Sequence, residues 1–376
     1  MKTKILFWVG YHTPHWNKKT WENKGIGGSE YCVIKLADYL DTLGYDITIT
    51  GDVKTGNWHG VKYISKDDLI HKRGPIGLTN PHDVNVYPHY DVVIATNYIH
   101  YLKHLREANI EFDKNYFWMH NEYFYKWHSG DEMSDKEIES DVRQINKIIG
   151  VSKLHEDILK DKFKALYYDN TNIHTYISHI DNAIDPNDYK NRHVIDKIPG
   201  RIIWSSSPDR GLTLILDNWS DWKSKRPDLT LTICSPPYSE GWGDRDYSKL
   251  EGVEWLGALN PKNLKDEIDK AEYWVYSSDY IETYCISALE MMMGKVKILT
   301  NGSGNIMKLI GNGDRAEICD MNPDTIINTL ITDTKGKMFS NIWKTKTNKA
   351  YTWARKQNWE TRVNEWVKLI KGETTN

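Results

Sequence analysis

The strongest constraint on the fold is a rhythm that occurs twice in the chain. Near the N-terminus an apolar run from Lys4 to Val9 leads through a polar loop ending in Gly25-Ile26-Gly27-Gly28-Ser29-Glu30. Beyond the loop, Val33, Leu36, Ala37, Leu40 and Leu43 recur at helical spacing. Ser29 reads as the N-cap of that helix and Gly44 as the left-handed residue that ends it. Asp46 to Thr50 then alternates as a second strand. Strand, glycine loop, helix and strand make a βαβ unit, which implies a parallel sheet. Further short strands are expected at Val92 to Ala95, Tyr116 to Met119 and Lys147 to Val151. The rhythm restarts with a strand at Arg201 to Trp204, a helix at Gly211 to Trp219 and a strand at Leu229 to Cys234. A strand at Tyr273 to Tyr276, a helix at Tyr284 to Met293 and a strand at Val296 to Thr300 follow. Between the two halves, Ile184 to Pro199 turns polar and reads as a linker. At 376 residues the chain is long enough for two such α/β domains.

Composition removes several function classes. The formal charge of −3 gives no global basic field for nucleic acid or a membrane surface. No stretch approaches the roughly 18–20 apolar residues of a membrane span, and the first apolar run is too short for a signal peptide. Cys32, Cys234, Cys285 and Cys319 are scattered without metal-ligand spacing, so reduced core thiols and a cytoplasmic location are expected. The chain carries 16 Trp and 23 Tyr against 6 Phe, and such amphipathic rings suit either sugar faces or half-buried packing positions.

Four motifs carry candidate chemistry. In Glu282-Thr283-Tyr284-Cys285 through Glu290, two glutamates lie eight positions apart, the second inside an apolar helix. A carboxylate there needs a partner, and a ribose diol is a natural one. The N-terminus of that helix offers free N–H groups to a diphosphate. In Ser205-Ser206-Ser207-Pro208-Asp209-Arg210-Gly211, an arginine beside a glycine follows three hydroxyl residues, a phosphate pocket or a surface turn. Gly25-x-Gly27-Gly28-Ser29 permits close backbone approach, although it is neither a P-loop nor a full dinucleotide fingerprint. His120 ends the expected strand Tyr116 to Met119, the end of a parallel strand where ligands gather.

Taken in chain order, these motifs resemble glycosyltransferase family four, a large retaining family of GT-B fold. Asn182-Ala183-Ile184-Asp185 resembles its linker motif, Val151-Ser152-Lys153 its strand-helix segment, and Glu254-Trp255-Leu256-Gly257 a stretch near the nucleobase. Trp359-Glu360 resembles the opening of its last helix. The resemblance implies two Rossmann-like domains facing each other across a cleft. It sets them at 1–190 on the acceptor side and 191–352 on the nucleotide-sugar side, with a C-terminal helix in 353–376 crossing back to the first domain. It further implies that Glu282 binds the donor sugar and Glu290 the ribose. Arg210, with Ser205, Ser206, Ser207 and the backbone of Thr283, Tyr284 and Cys285, would hold the diphosphate. Leu256 and Gly257 would line the base, Gly27 and Gly28 would approach the donor, and His120 would lie near the anomeric carbon. Two departures stand out: Ser205 occupies a position where the family often has arginine, and Thr283 and Cys285 stand where it has glycines.

The implied activity is hexosyl or pentosyl transfer from a nucleotide-diphosphate sugar, UDP- or GDP-linked, with retention of anomeric configuration. Arginine and a helix N-terminus can carry the leaving-group charge, so neither metal nor cofactor is expected. A glycan acceptor is favoured; a modified DNA base or a lipid-linked acceptor at a membrane surface remains open. A non-catalytic sugar-binding protein, an epimerase and a phosphorylase are the rivals. Trp8, Tyr11, Trp16, Trp21, Tyr123 and Trp127 can stack on an acceptor. Either a monomer or a homodimer is compatible with the sequence.

Overall fold

The computed structural model describes residues 2–10, 15–71, 88–122, 133–166, 176–189, 196–236, 249–276 and 278–373. The chain divides into two compact units. The first comprises Met1–Lys19, Gly28–Asn182 and Trp359–Asn376; the second comprises Thr20–Gly27 and Ala183–Asn358. The chain therefore passes between units at 182/183 and returns at 358/359, against the 190/191 and 352/353 junctions expected from the sequence. A backbone bridge between Ile184 and Asn358 pins the two crossing strands together within the second unit.

The first unit is built on an eight-stranded sheet of order β3-β4-β2-β1-β5-β6-β7-β8. The strands are β1 (Lys4–Val9), β2 (Asp46–Gly51), β3 (Gly56–Trp58), β4 (Val61–Ser65), β5 (His89–Thr96), β6 (Glu111–Trp118), β7 (Lys147–Gly150) and β8 (Ile177–His179). All neighbours are parallel except β3 and β4, an antiparallel pair at the edge. Ile5 to Val9 are buried without interruption, as a strand covered on both faces requires. The helix Gly28–Thr42 starts one residue before Ser29, so Ser29 sits in its first turn rather than at the cap. Gly44 follows at φ +90°, the left-handed ending expected of it.

The C-terminal helix Trp359–Lys371 belongs to this unit. Its stripe of Trp359, Val363, Trp366, Leu369 and Ile370 is buried. Trp118 meets Trp366 at 5.0 Å and Trp359 at 6.5 Å between ring centroids, both edge to face. Two side chains of β6 cap the end of the helix, the Tyr116 hydroxyl donating to the Leu369 carbonyl at 2.9 Å and Lys114 Nζ to that of Ile370 at 3.2 Å. At about 1.5–3 kcal/mol per large apolar side chain, the stripe accounts for the helix's attachment to this unit.

The second unit is a six-stranded, all-parallel sheet of order β11-β10-β9-β12-β13-β14. Its strands are β9 (Arg201–Trp204), β10 (Thr230–Ile233), β11 (Val253–Trp255), β12 (Tyr273–Tyr276), β13 (Lys297–Thr300) and β14 (Glu317–Ile318). The chain runs outward from β9 through β10 to β11, then returns to the other side of β9 with β12. That reversal makes β9 and β12 the switch point, where open parallel sheets leave a crevice beyond the strand ends. The corresponding reversal in the first unit lies between β1 and β5.

Most of the tryptophan is structural. Trp8, Trp118, Trp204, Trp219, Trp222, Trp274, Trp359 and Trp366 are fully buried. Trp8 stacks on His104 at 5.4 Å and Trp16 is 2% exposed, so neither is placed to stack on an acceptor. Trp21 is half-buried, while Tyr11, Tyr123 and Trp127 lie outside the described residues.

Candidate functional site

The loops that leave β9 and β12 flank the switch point of the second unit, and both carry the motifs singled out in the sequence. After Trp204, the chain passes Ser205, Ser206 and Ser207 and makes a short 3-10 turn, Pro208–Arg210. Gly211 at φ +114° then opens the helix Leu212–Lys225. Only glycine takes that backbone angle without strain, and it lets Arg210 sit between a tight turn and a helix start. Trp204 Nε1 donates to the Ser206 carbonyl at 2.8 Å, which fixes the serine loop to the buried end of β9.

Arg210 is held from one side only. Its guanidinium lies 3.2 Å from the centroid of the Tyr280 ring, and Nε is 3.7 Å from Asp209 Oδ1. Its Nη1 is buried with no hydrogen-bond partner in the protein, and so is the hydroxyl of Ser205. Buried donors are normally satisfied, so these two, at the end of one strand, are groups able to bond the polar atoms of a ligand.

The loop after β12 supplies the carboxylate. Glu282 is half-buried and accepts a hydrogen bond from the Tyr276 hydroxyl on Oε1. Burial pushes its carboxyl above the usual range, while the Tyr276 bond and the positive charge of Arg210 pull it down. Arg210 and Glu282 are therefore electrostatic neighbours at one site. The loop is strapped by the segment following β13. Asn305 N–H donates to the Glu282 carbonyl at 2.8 Å, the Ser303 hydroxyl to the Tyr280 carbonyl at 2.6 Å, and Asn301 Nδ2 to the Ser278 carbonyl at 2.7 Å. Gly304 has φ +65°, and a Cβ there would stand 2.4 Å from the Glu282 carbonyl oxygen.

The helix expected from Tyr284 begins at Ile286 and runs to Met293. Cys285 is its cap residue, with φ +74° and ψ +79°, a conformation that costs a non-glycine residue roughly 1–3 kcal/mol. Burial pushes the Cys285 thiol far up, so it is not a nucleophile. Glu290, one helical face further on, is half-buried. Ser287 Oγ lies 3.4 Å from Ser206 Oγ, which ties the start of this helix to the serine loop. Leu256 and Gly257 follow β11, with Leu256 N–H bonded to the Ile233 carbonyl at 2.9 Å and Gly257 at φ +66°.

Gly27 groups with the second unit, whereas Gly28 and His120 belong to the first. The glycine with a steric requirement is Gly25, at φ +72°, where a Cβ would stand 2.4 Å from the Leu259 carbonyl oxygen. His120 follows β6. Its backbone N–H donates to Asn97 Oδ1 at 2.8 Å, and its ring lies 4.4 Å from that of Trp118. Burial pushes its imidazole down to about 3, with Glu30 opposing that shift. His155 supports the same loop: Nδ1 accepts from Val151 N–H at 3.1 Å, so Nε2 carries the proton and bonds the Asn121 carbonyl at 2.9 Å.

Sequence reasoning missed Glu30, Asn97, His155, Tyr276, Tyr280 and Gly304. Glu30 had a local signal, an acid in the first helical turn beside the glycines. The others act through side-chain contacts that spacing alone does not show. For metals, one grouping among the described residues has ligand atoms within 4.8 Å of one another, namely His89, Asp91 and Asp113. Internal bonds already occupy these groups, His89 with Asp113 at 2.9 Å and Asp91 with Lys4 N–H at 2.6 Å. They lie at the opposite ends of β5 and β6 from the loops described above. An Asp-x-Asp triplet of the kind used by metal-dependent transferases does occur, Asp244-Arg245-Asp246, outside the described residues. The expectation of metal independence therefore rests on charge placement alone.

Residues 205–346 match the family model of glycosyl transferases group 1. That segment begins at Ser205 and contains Arg210, Glu282 and Glu290. The chain is 23% identical over 178 residues to a lipopolysaccharide 1,2-N-acetylglucosaminetransferase of Salmonella typhimurium; the match covers 43% of this chain and 46% of that relative, so it spans under half of each. Among solved structures, a glycosyltransferase from Rickettsia africae superimposes with a TM-score of 0.67 at 14% identity, over 99% of this chain and 98% of that one. The Anabaena protein Alr3699/HepE, solved in complex with UDP-glucose, gives 0.65 at 15% identity, over 98% and 99%. These likenesses show the fold, two parallel-sheet α/β units of the GT-B kind. Among the described residues no helix is long and apolar enough to cross a membrane.

Proposed function

We propose that the chain is a retaining, metal-independent glycosyltransferase that moves a sugar from a UDP-linked donor to a hydroxyl of a glycan acceptor. The observation that carries the reading is the pair of orphaned donors, Arg210 Nη1 and Ser205 Oγ, beside the Glu282 carboxylate at the switch point of the second sheet. A diphosphate needs a cation and hydroxyl donors; a sugar needs an acceptor for its hydroxyls. The match of residues 205–346 to the group 1 family supports that assignment. UDP is favoured over GDP because a protein of the same fold binds UDP-glucose, and a glycan acceptor because the matched relative is named for lipopolysaccharide. Four free, buried cysteines support a reducing compartment such as the cytoplasm.

In the reaction, the bond from the anomeric carbon to the diphosphate oxygen breaks and a bond to the acceptor oxygen forms. The acceptor proton ends on the departing phosphate. Negative charge grows on the diphosphate as the bond breaks, and Arg210, the serine hydroxyls and the N-terminus of the helix Ile286–Met293 stabilise it there. Glu282 orients the sugar through its hydroxyls, and Glu290 holds the ribose. His120, held neutral by burial, is proposed as a hydrogen-bonding group for the transferred sugar.

The test is a screen of the full chain against UDP-, GDP-, ADP- and dTDP-sugars, with and without EDTA, following nucleotide release and thermal shift. One UDP-sugar slowly hydrolysed, equally in both conditions, is the expected result. Absence of shift and release with every donor would sink the catalytic reading. Activity abolished by EDTA and restored by Mg²⁺ or Mn²⁺ would sink metal independence.

A further inference from the structure

We propose that Tyr276 is a positioning residue that aims the Glu282 carboxylate at the donor sugar. This assignment rests on the proposed function for its consequence and on the geometry for its substance. Tyr276 closes β12 and is 1% exposed. Its ring is stacked against two indoles, with centroids 4.5 Å from Trp274 and 5.4 Å from Trp204 and planes within 22° of each. A tyrosine so clamped cannot swing, and its hydroxyl is aimed at Glu282 Oε1.

The bond divides the labour of the carboxylate. Oε1 is engaged by the phenol, which leaves Oε2 to accept from a sugar hydroxyl. Burial holds the phenol far above its ordinary value, so it remains a donor throughout the working range. The groups facing Glu282 are Tyr276 from β12, Arg210 and Asp209 from the turn after β9, and Cys285 from its own loop. Among them Tyr276 is the one that fixes direction, since a phenol bond is directional whereas Arg210 acts as a nearby charge. The same ring stack reaches the phosphate side, because Trp204 anchors the serine loop through its indole N–H. One aromatic column thus supports both halves of the site.

Tyr276→Phe retains the column and deletes only the hydroxyl. The titration midpoint of the Glu282 carboxyl, read by ¹³C NMR on carboxyl-labelled glutamate and assigned with Glu282→Gln, is expected to rise in the variant. This measurement needs no substrate, so it decides the geometry even if no nucleotide sugar is turned over. On the donor identified by the screen, kcat/KM is expected to fall about tenfold to a hundredfold, the range for losing a hydrogen bond to a charged group. Its acid limb is expected to move to higher pH. In a Glu282→Ala background, which deletes the acceptor, the same substitution is expected to change kcat/KM by less than about twofold, because Tyr276 acts through the carboxylate. An unmoved midpoint would overturn the proposal. An equal loss in both backgrounds would do so as well, by showing that the hydroxyl serves the column rather than Glu282. If the wild-type chain turns over no donor while the midpoint still moves, the functional reading falls and the positioning of Glu282 by Tyr276 stands.

Discussion

Both sheets reverse their strand order once, between β1 and β5 in the first unit and between β9 and β12 in the second, and the two reversals are furnished in opposite ways. In the first unit the reversal is covered: a Cβ on Gly10 would stand 1.6 Å from the Tyr98 ring, so that ring lies flat on the glycine at the end of β1. Next to it stand a left-handed Asn97 and, one strand over, the neutral His120. In the second unit the reversal is flanked by a cation, a carboxylate and two orphaned donors. The same topology therefore supplies a reversal in each unit, and among the described residues the second brings a cation, a carboxylate and an orphaned hydroxyl to it. The lesson is that topology nominates a place and side-chain chemistry decides what it binds.

The sharpest way to break that contrast is to remove the cation. Arg210→Ala is expected to lower kcat/KM on the donor by about a hundredfold to a thousandfold, the range for deleting a preorganised donor aimed at developing charge. Thermal stability is expected to change little, because the Arg210 side chain is held by a long ion pair with Asp209 and by the face of the Tyr280 ring. Arg210→Lys should recover part of the loss through charge alone. An Arg210→Ala enzyme with wild-type turnover would remove the anion site from the second unit.

A smaller effect tests whether the carboxylate depends on its strap. Gly304→Ala forces a Cβ to within 2.4 Å of the Glu282 carbonyl oxygen at a backbone angle of φ +65°. The neighbour is backbone, which cannot swing aside, so the Glu282 loop must move. The expected result is a loss of about tenfold to a hundredfold in kcat/KM, the scale of a displacement near 1 Å, with roughly 1–3 kcal/mol of destabilisation. Stability lost without any change in turnover would show that the strap serves folding alone.

The sequence made the second unit's site legible and left the first unit's obscure, for a physical reason. Arg210, Glu282 and Glu290 are charges in otherwise apolar or turn-forming segments, and a buried charge needs a partner, so it stands out in one dimension. β1, β9 and β12 were legible to the residue because fully buried parallel strands read as unbroken apolar runs. The edge strands β3 and β14 and the helix Lys337–Ala354 were missed because their polar faces break such runs. Tyr276 and Gly304 could not be found from the sequence, since the one acts through the turn of the loop that folds Glu282 back onto its strand end and the other through a contact from the loop after β13. The tryptophan excess misled for the N-terminal half, because an indole that fills a core and one that stacks on a sugar look identical until burial is known.

The gentlest test bears on the neutral imidazoles of the first unit. Burial pushes His155 from 6.5 down to about 4, outweighing the opposing bond to the Asn121 carbonyl. The folded state therefore resists a proton that the unfolded chain accepts. Stability from this source is complete above the free imidazole's range, declines as pH falls below about 6.5, and stops declining near the folded value. Between pH 7 and pH 6 the loss from His155 is expected to be under about 1 kcal/mol, read as a lower denaturant midpoint with unchanged slope. His120 adds a loss of the same sign, since it too is held neutral. An amide can accept from Val151 N–H and donate to the Asn121 carbonyl, so His155→Gln is expected to keep the loop and reduce the pH slope by roughly half. If His155→Gln left the slope unchanged, His155 would not be buried neutral, and the contrast between neutral imidazoles in the first unit and the charged Arg210 and Glu282 in the second would lose its support at this residue.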